Sequence, residues 1–290
     1  MPTIRSATLY VVRLGAPQLL RMRALDAARL FLVAGLMIGA TAGIVNAQSL
    51  PAEELKVMTW NVAGGRCGTD RSMSPFAQVI RAHRPDVVAV QEIHRDQASR
   101  LGTATGLNVY FVETQDCRNL RPDFGLAILS RQPFIESSKN VYLLPNHPAD
   151  SRRGEFRKLI AVNIPVNGGS IRIYNTHLTA SARFLNVYRI AQALRIRSII
   201  SADPRNSGEA IGPILMGDFN SQPGTLVYRI LTGLFRDANP NANTLGRTRV
   251  DYIFVGGRIL RIDAAGVLNT GSLSDHRPVI ARLSFTLLDA

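Results

Sequence analysis

Ile214-Leu215-Met216-Gly217-Asp218-Phe219-Asn220 is an apolar run that stops abruptly in a carboxylate and an amide. Its first residues suit a buried strand. A strand interior has no place for a charged Asp without a partner, because desolvating an unpaired carboxylate costs several kcal/mol or more. At the strand's end, with Pro223-Gly224 just beyond, Asp218 and Asn220 are expected to project together into a cleft. Taken alone, the pair is also compatible with a helix cap or a turn, since both residue types favour those places. The other strand ends decide between them.

Lys56-Val57-Met58-Thr59-Trp60-Asn61 ends in an amide and leads to Gly64-Gly65. Asp86-Val87-Val88-Ala89-Val90-Gln91-Glu92 ends in a carboxylate, and Ile171-Arg172-Ile173-Tyr174-Asn175-Thr176-His177 in an imidazole. Ser274-Asp275-His276-Arg277-Pro278 lies just before the run Val279-Ile280-Ala281-Arg282-Leu283, and Val250-Asp251-Tyr252-Ile253-Phe254-Val255 carries an Asp near its start. One polar strand end is noise. Five or six in one chain point to a shared site at one rim of a sheet structure.

The ordered series Trp60-Asn61, Gln91-Glu92, Asn175-Thr176-His177-Leu178, Gly217-Asp218-Phe219-Asn220, Val250-Asp251-Tyr252 and Ser274-Asp275-His276 resembles the endonuclease/exonuclease/phosphatase superfamily, metal-dependent phosphoesterases with a deoxyribonuclease-I-like fold. The match runs from about Lys56 to the end of the chain. It implies an α/β fold: a four-layer sandwich of two mixed β-sheets flanked by helices, with the site at one edge. Composition alone does not choose that arrangement over other α/β folds.

Ahead of this region, residues 30–45 form an uncharged apolar segment, too short for a comfortable membrane span of roughly 20 residues. Arg21, Arg23 and Arg29 precede it and Val45-Asn46-Ala47 follows. That is the order of a secretory signal, so cleavage is expected after Ala47, leaving one domain over 48–290 and an exported, periplasmic or secreted protein with no stable membrane span. Met22 offers an alternative start, and a retained N-terminal anchor is the competing outcome. The leader holds five arginines and one aspartate, which leaves +9 of the chain's formal +13 on residues 48–290. Such an excess favours anionic partners. Cys67 and Cys117, in an exported protein, are expected to be bridged.

Further strands are expected over 108–113, 125–130, 157–166 and 259–267, and helices over 73–84, 181–201 and 225–231. The first helix carries Phe76, Val79 and Ile80 on one face and stops before Pro85. His83 and His94 are expected at the surface. Arg152-Arg153 and Arg157-Lys158 suit either a polyanion contact or a solvated loop and edge strand.

Hydrolysis of a phosphoester anion needs charge neutralisation, an oriented water and help for the leaving group. Glu92 is a natural ligand for a hard cation such as Mg2+, with Mn2+ as a substitute, and Asn61 adds a neutral oxygen. The resemblance assigns metal binding to these two positions; where some relatives place an acid two residues after the Asn, this chain has Ala63. The family sets Asp251 and His276 in contact, a carboxylate orienting an imidazole that deprotonates water or binds phosphate as imidazolium. Asp218 is the rival base. Asn220 and His177 are expected to hydrogen-bond phosphoryl oxygens, and Asp275 to complete the metal site or hold a second ion. Plainer roles exist for each residue alone: His177 bonding a loop carbonyl, Asp251 pairing with Arg249, Asn61 capping a turn. Six coincidences in family order outweigh them.

The expected activity is metal-dependent phosphodiester hydrolysis by a monomer, on DNA or RNA in view of the positive charge. Phospholipids or inositol phosphates are the alternative substrates, since one scaffold serves many chemistries. A non-catalytic binding module ranks behind, because Glu92, Asp218 and His276 are all present. The chain has no nucleotide-binding loop, H-E-x-x-H or G-x-S-x-G motif, so those chemistries lack support.

Overall fold

The apolar runs form strands, as their Val, Ile and aromatic content favours. A computed structural model describes residues 53–63, 70–115, 123–152, 154–167, 169–180, 187–206, 211–238, 241–257 and 261–285. The 1–47 leader and both Cys67 and Cys117 lie outside the described residues. One sheet contains β1 (Glu53–Asn61), β2 (Val87–His94), β3 (Asn108–Gln115), β4 (Phe124–Ser130), β11 (Arg261–Val267) and β12 (Val279–Phe285), in the order β11-β12-β1-β2-β4-β3. The other contains β5 (Ile135–Tyr142), β6 (Lys158–Val166), β7 (Gly169–His177), β8 (Ile214–Asp218), β9 (Arg236–Asp237) and β10 (Asp251–Val255), in the order β5-β6-β7-β8-β10-β9. Within each sheet one pair is parallel, β1 with β2 and β7 with β8, and its neighbours are antiparallel, so both sheets are mixed.

Period-2 alternation assigns the layers. Ile214 and Met216 of β8 face the space between the sheets, with Ile160, Ile173, Val57 and Ala89. Leu215 faces the opposite way, with Leu159, Tyr174 and Phe254, beneath α4 (Val187–Ser201) and α5 (Leu226–Thr232). On the outer face of the first sheet, Met58, Trp60, Val88 and Val90 pack under α1 (Ser74–His83) and α2 (Arg95–Thr105). A fifth, short helix, α3 (Pro148–Arg152), joins β5 to β6. Helix, sheet, sheet, helix: this is the expected four-layer sandwich.

Besides the short α3, the elements α2, β5 and β9 escape the sequence expectation. Helix α2 buries only Gln97, Ala98, Leu101 and Gly102, too few apolar positions to print a helical period. It is instead started by a capping box, in which the Gln97 Oε1 accepts from the His94 backbone N–H at 3.0 Å. His94 is therefore fully buried, not at the surface, while His83 is exposed as expected. Strand β5, Ile-Glu-Ser-Ser-Lys-Asn-Val-Tyr, is polar because it is a sheet edge. Strand β9 is two residues long.

Helix α4 is anchored just beyond its C-terminus. There the buried Asp203 accepts a hydrogen bond from Tyr174 Oη at 2.9 Å and one from Arg205 Nε at 2.9 Å, with Arg172 Nε and Lys139 Nζ each 3.6 Å away. Burial alone would raise the Asp203 carboxyl, but the hydrogen bonds from Arg205 and Tyr174 and the charge of Arg172 bring it down to about 2. Folded and unfolded states are both ionised well above 3.8, so the contribution, about 2 kcal/mol, is whole there. It falls away as pH drops from about 4 toward about 2. Chemical denaturation of the wild type and Asp203→Asn at pH 6 and at acid pH checks this: the wild-type advantage should shrink on acidification. A constant advantage would refute it.

Candidate active site

The register of the second sheet sets three functional side chains in one row. Asp251 of β10 lies opposite Asp218 of β8, and His177 of β7 lies beside Asp218 on the other side. Cross-strand neighbours share a face, and Asp218 follows Ile214 and Met216 by steps of two, so the row faces the first sheet. Asn61 there ends β1 beside Gln91 of β2. Across the gap, Asn61 Nδ2 donates to Glu92 Oε1 at 3.0 Å and to Asp218 Oδ2 at 3.2 Å. His177 Nε2 sits 3.4 Å from Asp218 Oδ2 and 3.9 Å from Glu92 Oε1. His276 Nδ1 is 2.8 Å from Asp251 Oδ2, and its Nε2 is 3.7 Å from Asp218 Oδ2. Glu92 and His276, far apart in the chain, thus face one point through Asn61 and Asp218.

Unusual backbone positions produce this convergence. Glu92 has φ +54° at a register shift between Gln91 and Ile93. The bulge turns a side chain that regular alternation would send the other way. Asn220 takes φ +47°, with its N–H bonded to Asp218 Oδ1 at 2.9 Å. Gly217 has φ +146°, and a Cβ there would lie 2.0 Å from the Thr176 carbonyl oxygen. Only glycine lets β8 approach β7 closely enough to set Asp218 beside His177.

The electrostatics divide the labour. Burial pushes the Asp218 carboxyl up, and the charge of Asp251 adds to it, to about 7, against the opposing influence of His276 and two hydrogen bonds. Burial would lower His276, but the hydrogen bond and charge of Asp251, then the charges of Asp218 and Asp275, raise it to about 9. The Asp251 contact engages Nδ1 and leaves Nε2 facing the gap. Arg189 of α4 is also buried; burial lowers its affinity for a proton and the nearby Asp218 charge opposes that.

Several supporting residues carried no signal of role in the sequence. Thr244 Oγ1 accepts from the N–H groups of Val250 and Asp251, both at 3.1 Å, and its carbonyl accepts from Arg277 N–H at 2.7 Å, tying β10 to the His276 loop. Trp60 Nε1 donates to the His276 carbonyl at 3.1 Å. Ser274 Oγ donates to the Asn61 carbonyl at 2.8 Å and accepts from His276 N–H at 3.1 Å. Beneath the site, Gln91 Nε2 donates to Asn175 Oδ1 at 2.8 Å, and Asn175 Nδ2 to the carbonyls of Val90 and Ala127, so a buried amide pair ties the two sheets together. Gln192 of α4 brackets Thr179, just past His177, with two hydrogen bonds. Trp60, Gln91, Asn175 and Ser274 stood inside the recognised motifs; Thr244 and Gln192 did not.

Other expectations resolve differently. Arg249 pairs with Asp237, not with Asp251. Asn61 does cap a turn, accepting from Ala63 N–H at 3.0 Å, while its amide nitrogen serves the site. The Asn220 side chain donates to the Leu178 carbonyl at 3.0 Å. Asp275 is exposed, bonded to Ser274 Oγ at 3.3 Å, and reaches His276 through its charge. Arg157 is not on a solvated loop: it is buried and paired with Asp150 and Glu155.

The site suits a hard divalent cation. Glu92 and Asp218 are oxygen donors that converge on the same amide group of Asn61, and acidic groups outnumber the one raised imidazole. Asp218, Asp251 and His276 also offer one atom each within 4.8 Å of one another. However, His276 Nδ1 and Asp251 Oδ2, 2.8 Å apart, are engaged with each other in a hydrogen bond. The partly exposed Glu92 carboxylate is the one open to an ion from solvent.

Comparison with known proteins agrees with this geometry. The Endonuclease/Exonuclease/phosphatase family matches residues 58–276. The chain is 34% identical over 124 residues to an inositol phosphosphingolipids phospholipase C of Schizosaccharomyces pombe, covering 39% of this chain and 28% of that protein. It is 26% identical over 280 residues to a putative neutral sphingomyelinase of Drosophila melanogaster, covering 81% of this chain and 62% of that protein. It thus spans less than two thirds of either relative. The human Nocturnin catalytic domain, solved with a bound sulfate anion, shares the fold at TM-score 0.66 and 21% identity, over 80% of this chain and 94% of that one. With the matched region running from β1 to His276 and embracing every strand end that builds the site, the chain belongs to the endonuclease/exonuclease/phosphatase family, whose members are phosphoesterases.

Proposed function

We propose that the protein is a Mg2+-dependent phosphodiesterase, with Mn2+ as a substitute, that hydrolyses a phospholipid-type phosphodiester. The observation that carries the chemistry is the facing of Glu92 Oε1, Asn61 Nδ2, Asp218 Oδ2 and His276 Nε2 across one gap. Glu92, its Oε1 positioned by the hydrogen bond from Asn61 Nδ2, would hold the cation, which when bound offsets phosphate charge and polarises the phosphoryl oxygens. His276, with its proton affinity raised by Asp251, is an imidazolium at neutral pH and donates from Nε2 to a phosphoryl oxygen. Asp218, pushed to about 7, has the proton affinity of a base working near neutrality. It takes the proton of the attacking water. His177 lies beside Asp218 and donates to developing oxyanion charge.

The phospholipid choice is supported by the names of two relatives, a phospholipase C and a sphingomyelinase. Nucleic acid is the second candidate, favoured by the formal charge of +9 on residues 48–290. Action outside the cytoplasm rests on the leader over 1–47 alone. The test is hydrolysis of soluble bis(p-nitrophenyl) phosphate, expected with Mg2+ and abolished by chelator. Glu92→Gln should raise the Mg2+ concentration needed by at least ~10-fold. A Mg2+ requirement unchanged by Glu92→Gln would remove the ion from this place, and neither Mg2+ binding nor turnover would point to a non-catalytic module.

A further inference from the structure

The row of functional residues continues past His177. Leu159 of β6 lies opposite Thr176, which sets Lys158 beside His177, and Tyr142 of β5 lies opposite Lys158. Two strand spacings put Tyr142 about 10 Å from His177 on the same rim. There the surface becomes apolar. Tyr142 is 51% exposed, Leu144 61% and Phe156 40%. The Tyr142 and Phe156 rings meet edge to face, 5.9 Å apart at 87°.

This corner is held in place rather than loosely exposed. The buried Arg157 pairs with Asp150 at 3.3 Å and Glu155 at 2.6 Å. Phe156 N–H donates to the Thr114 carbonyl at 2.6 Å, and Leu143 N–H to the Arg157 carbonyl at 2.8 Å. Asn146 Nδ2 bonds the Glu155 carbonyl at 2.6 Å, and the His147 ring packs on Tyr188 of α4 at 4.8 Å. A fixed scaffold that presents three large apolar side chains to water beside a catalytic rim marks an interaction surface.

We propose that Tyr142, Leu144 and Phe156 dock the protein on a lipid surface, entering the boundary between headgroups and acyl chains while the adjacent row faces a headgroup phosphodiester. The proposal rests on the phospholipid part of the proposed function. Tyr and Phe suit that boundary, where an apolar body meets a polar layer, and Leu144 adds aliphatic surface. The positive balance of the chain complements anionic headgroups. Nucleic acid fits the corner less well. Perpendicular rings offer no parallel faces for successive bases, Leu144 has no π-face, and two described cations of the corner are committed. Arg157 is buried in its ion pairs, and Lys158 Nζ bonds the Glu113 carbonyl at 2.7 Å while lying 4.6 Å over the Tyr142 ring.

The chain has one tryptophan, Trp60, fully buried, so Phe156→Trp introduces a distinguishable exposed reporter. On adding vesicles of phosphatidylcholine and phosphatidylglycerol to the full chain, its emission should shift to the blue and be quenched by brominated phosphatidylcholine. Leu144→Asp in that background should weaken the vesicle-induced shift about tenfold in apparent affinity and leave hydrolysis of soluble bis(p-nitrophenyl) phosphate unchanged. No shift with vesicles, a shift indifferent to Leu144→Asp, or a shift given by a single-stranded oligonucleotide in place of vesicles would overturn the docking surface. Failure of the proposed chemistry would appear separately, as no turnover of the soluble ester, because the emission change does not depend on hydrolysis.

Discussion

His276→Ala is expected to lower the rate of phosphodiester hydrolysis by roughly 10²–10⁴-fold. The imidazole is the group of the gap whose proton affinity is raised to about 9, so its loss would remove the positive hydrogen-bond donor of the proposed mechanism. Asp251→Asn should come close to the same loss, because the amide no longer holds Nδ1 protonated and Nε2 outward over the 2.8 Å contact. The two changes act on one unit, so the double variant should be little worse than His276→Ala alone. Steady-state rates at fixed Mg2+, with circular dichroism to show intact folding, make the measurement. Full additivity, or a wild-type rate for Asp251→Asn, would mean that the pair is structural.

Gly217→Ala is expected to destabilise the fold by about 3 kcal/mol or more. At this position φ is +146° and the new methyl would meet the Thr176 carbonyl at 2.0 Å, backbone that cannot move without parting β7 from β8. Gly224 provides the control: its φ is also positive, +81°, but nothing lies within 4 Å of a Cβ there. Gly224→Ala should therefore cost only about 1 kcal/mol, the conformational part alone. Thermal unfolding of both variants separates close approach from backbone preference. Equal losses at the two positions would show that the interstrand contact contributes nothing. Because Gly217 precedes Asp218, any surviving Gly217→Ala protein should also hydrolyse more slowly, with Asp218 displaced from His177.

The two expected losses differ in how far the sequence foretold them. Asp251 and His276 were legible as a pair through the family resemblance, whereas the role of Gly217 needed the distance to Thr176. A similar division runs through the fold. Strands such as β1, β2 and β8 print their own pattern, because a buried strand needs consecutive or alternating apolar residues whatever surrounds it. Strand β5 and helix α2 do not. An edge strand is stabilised on one side only and stays polar, and α2 rests on a narrow face in which Gly102 lets Val109 come close. His94 was misplaced for the same reason: its burial comes from the start of a helix that hydrophobic spacing did not show.

What the sequence determined by itself was the chemical inventory and the strands that carry it: carboxylates, amides and imidazoles at the ends of apolar runs, because local hydrophobic alternation is written residue by residue. Tertiary structure alone decided how they meet. The bulge that turns Glu92, the row that joins Tyr142 to Asp251, and the Thr244 and Trp60 contacts that seat His276 all depend on register between segments far apart in the chain. Register is settled by packing two sheets face to face, which no local pattern encodes.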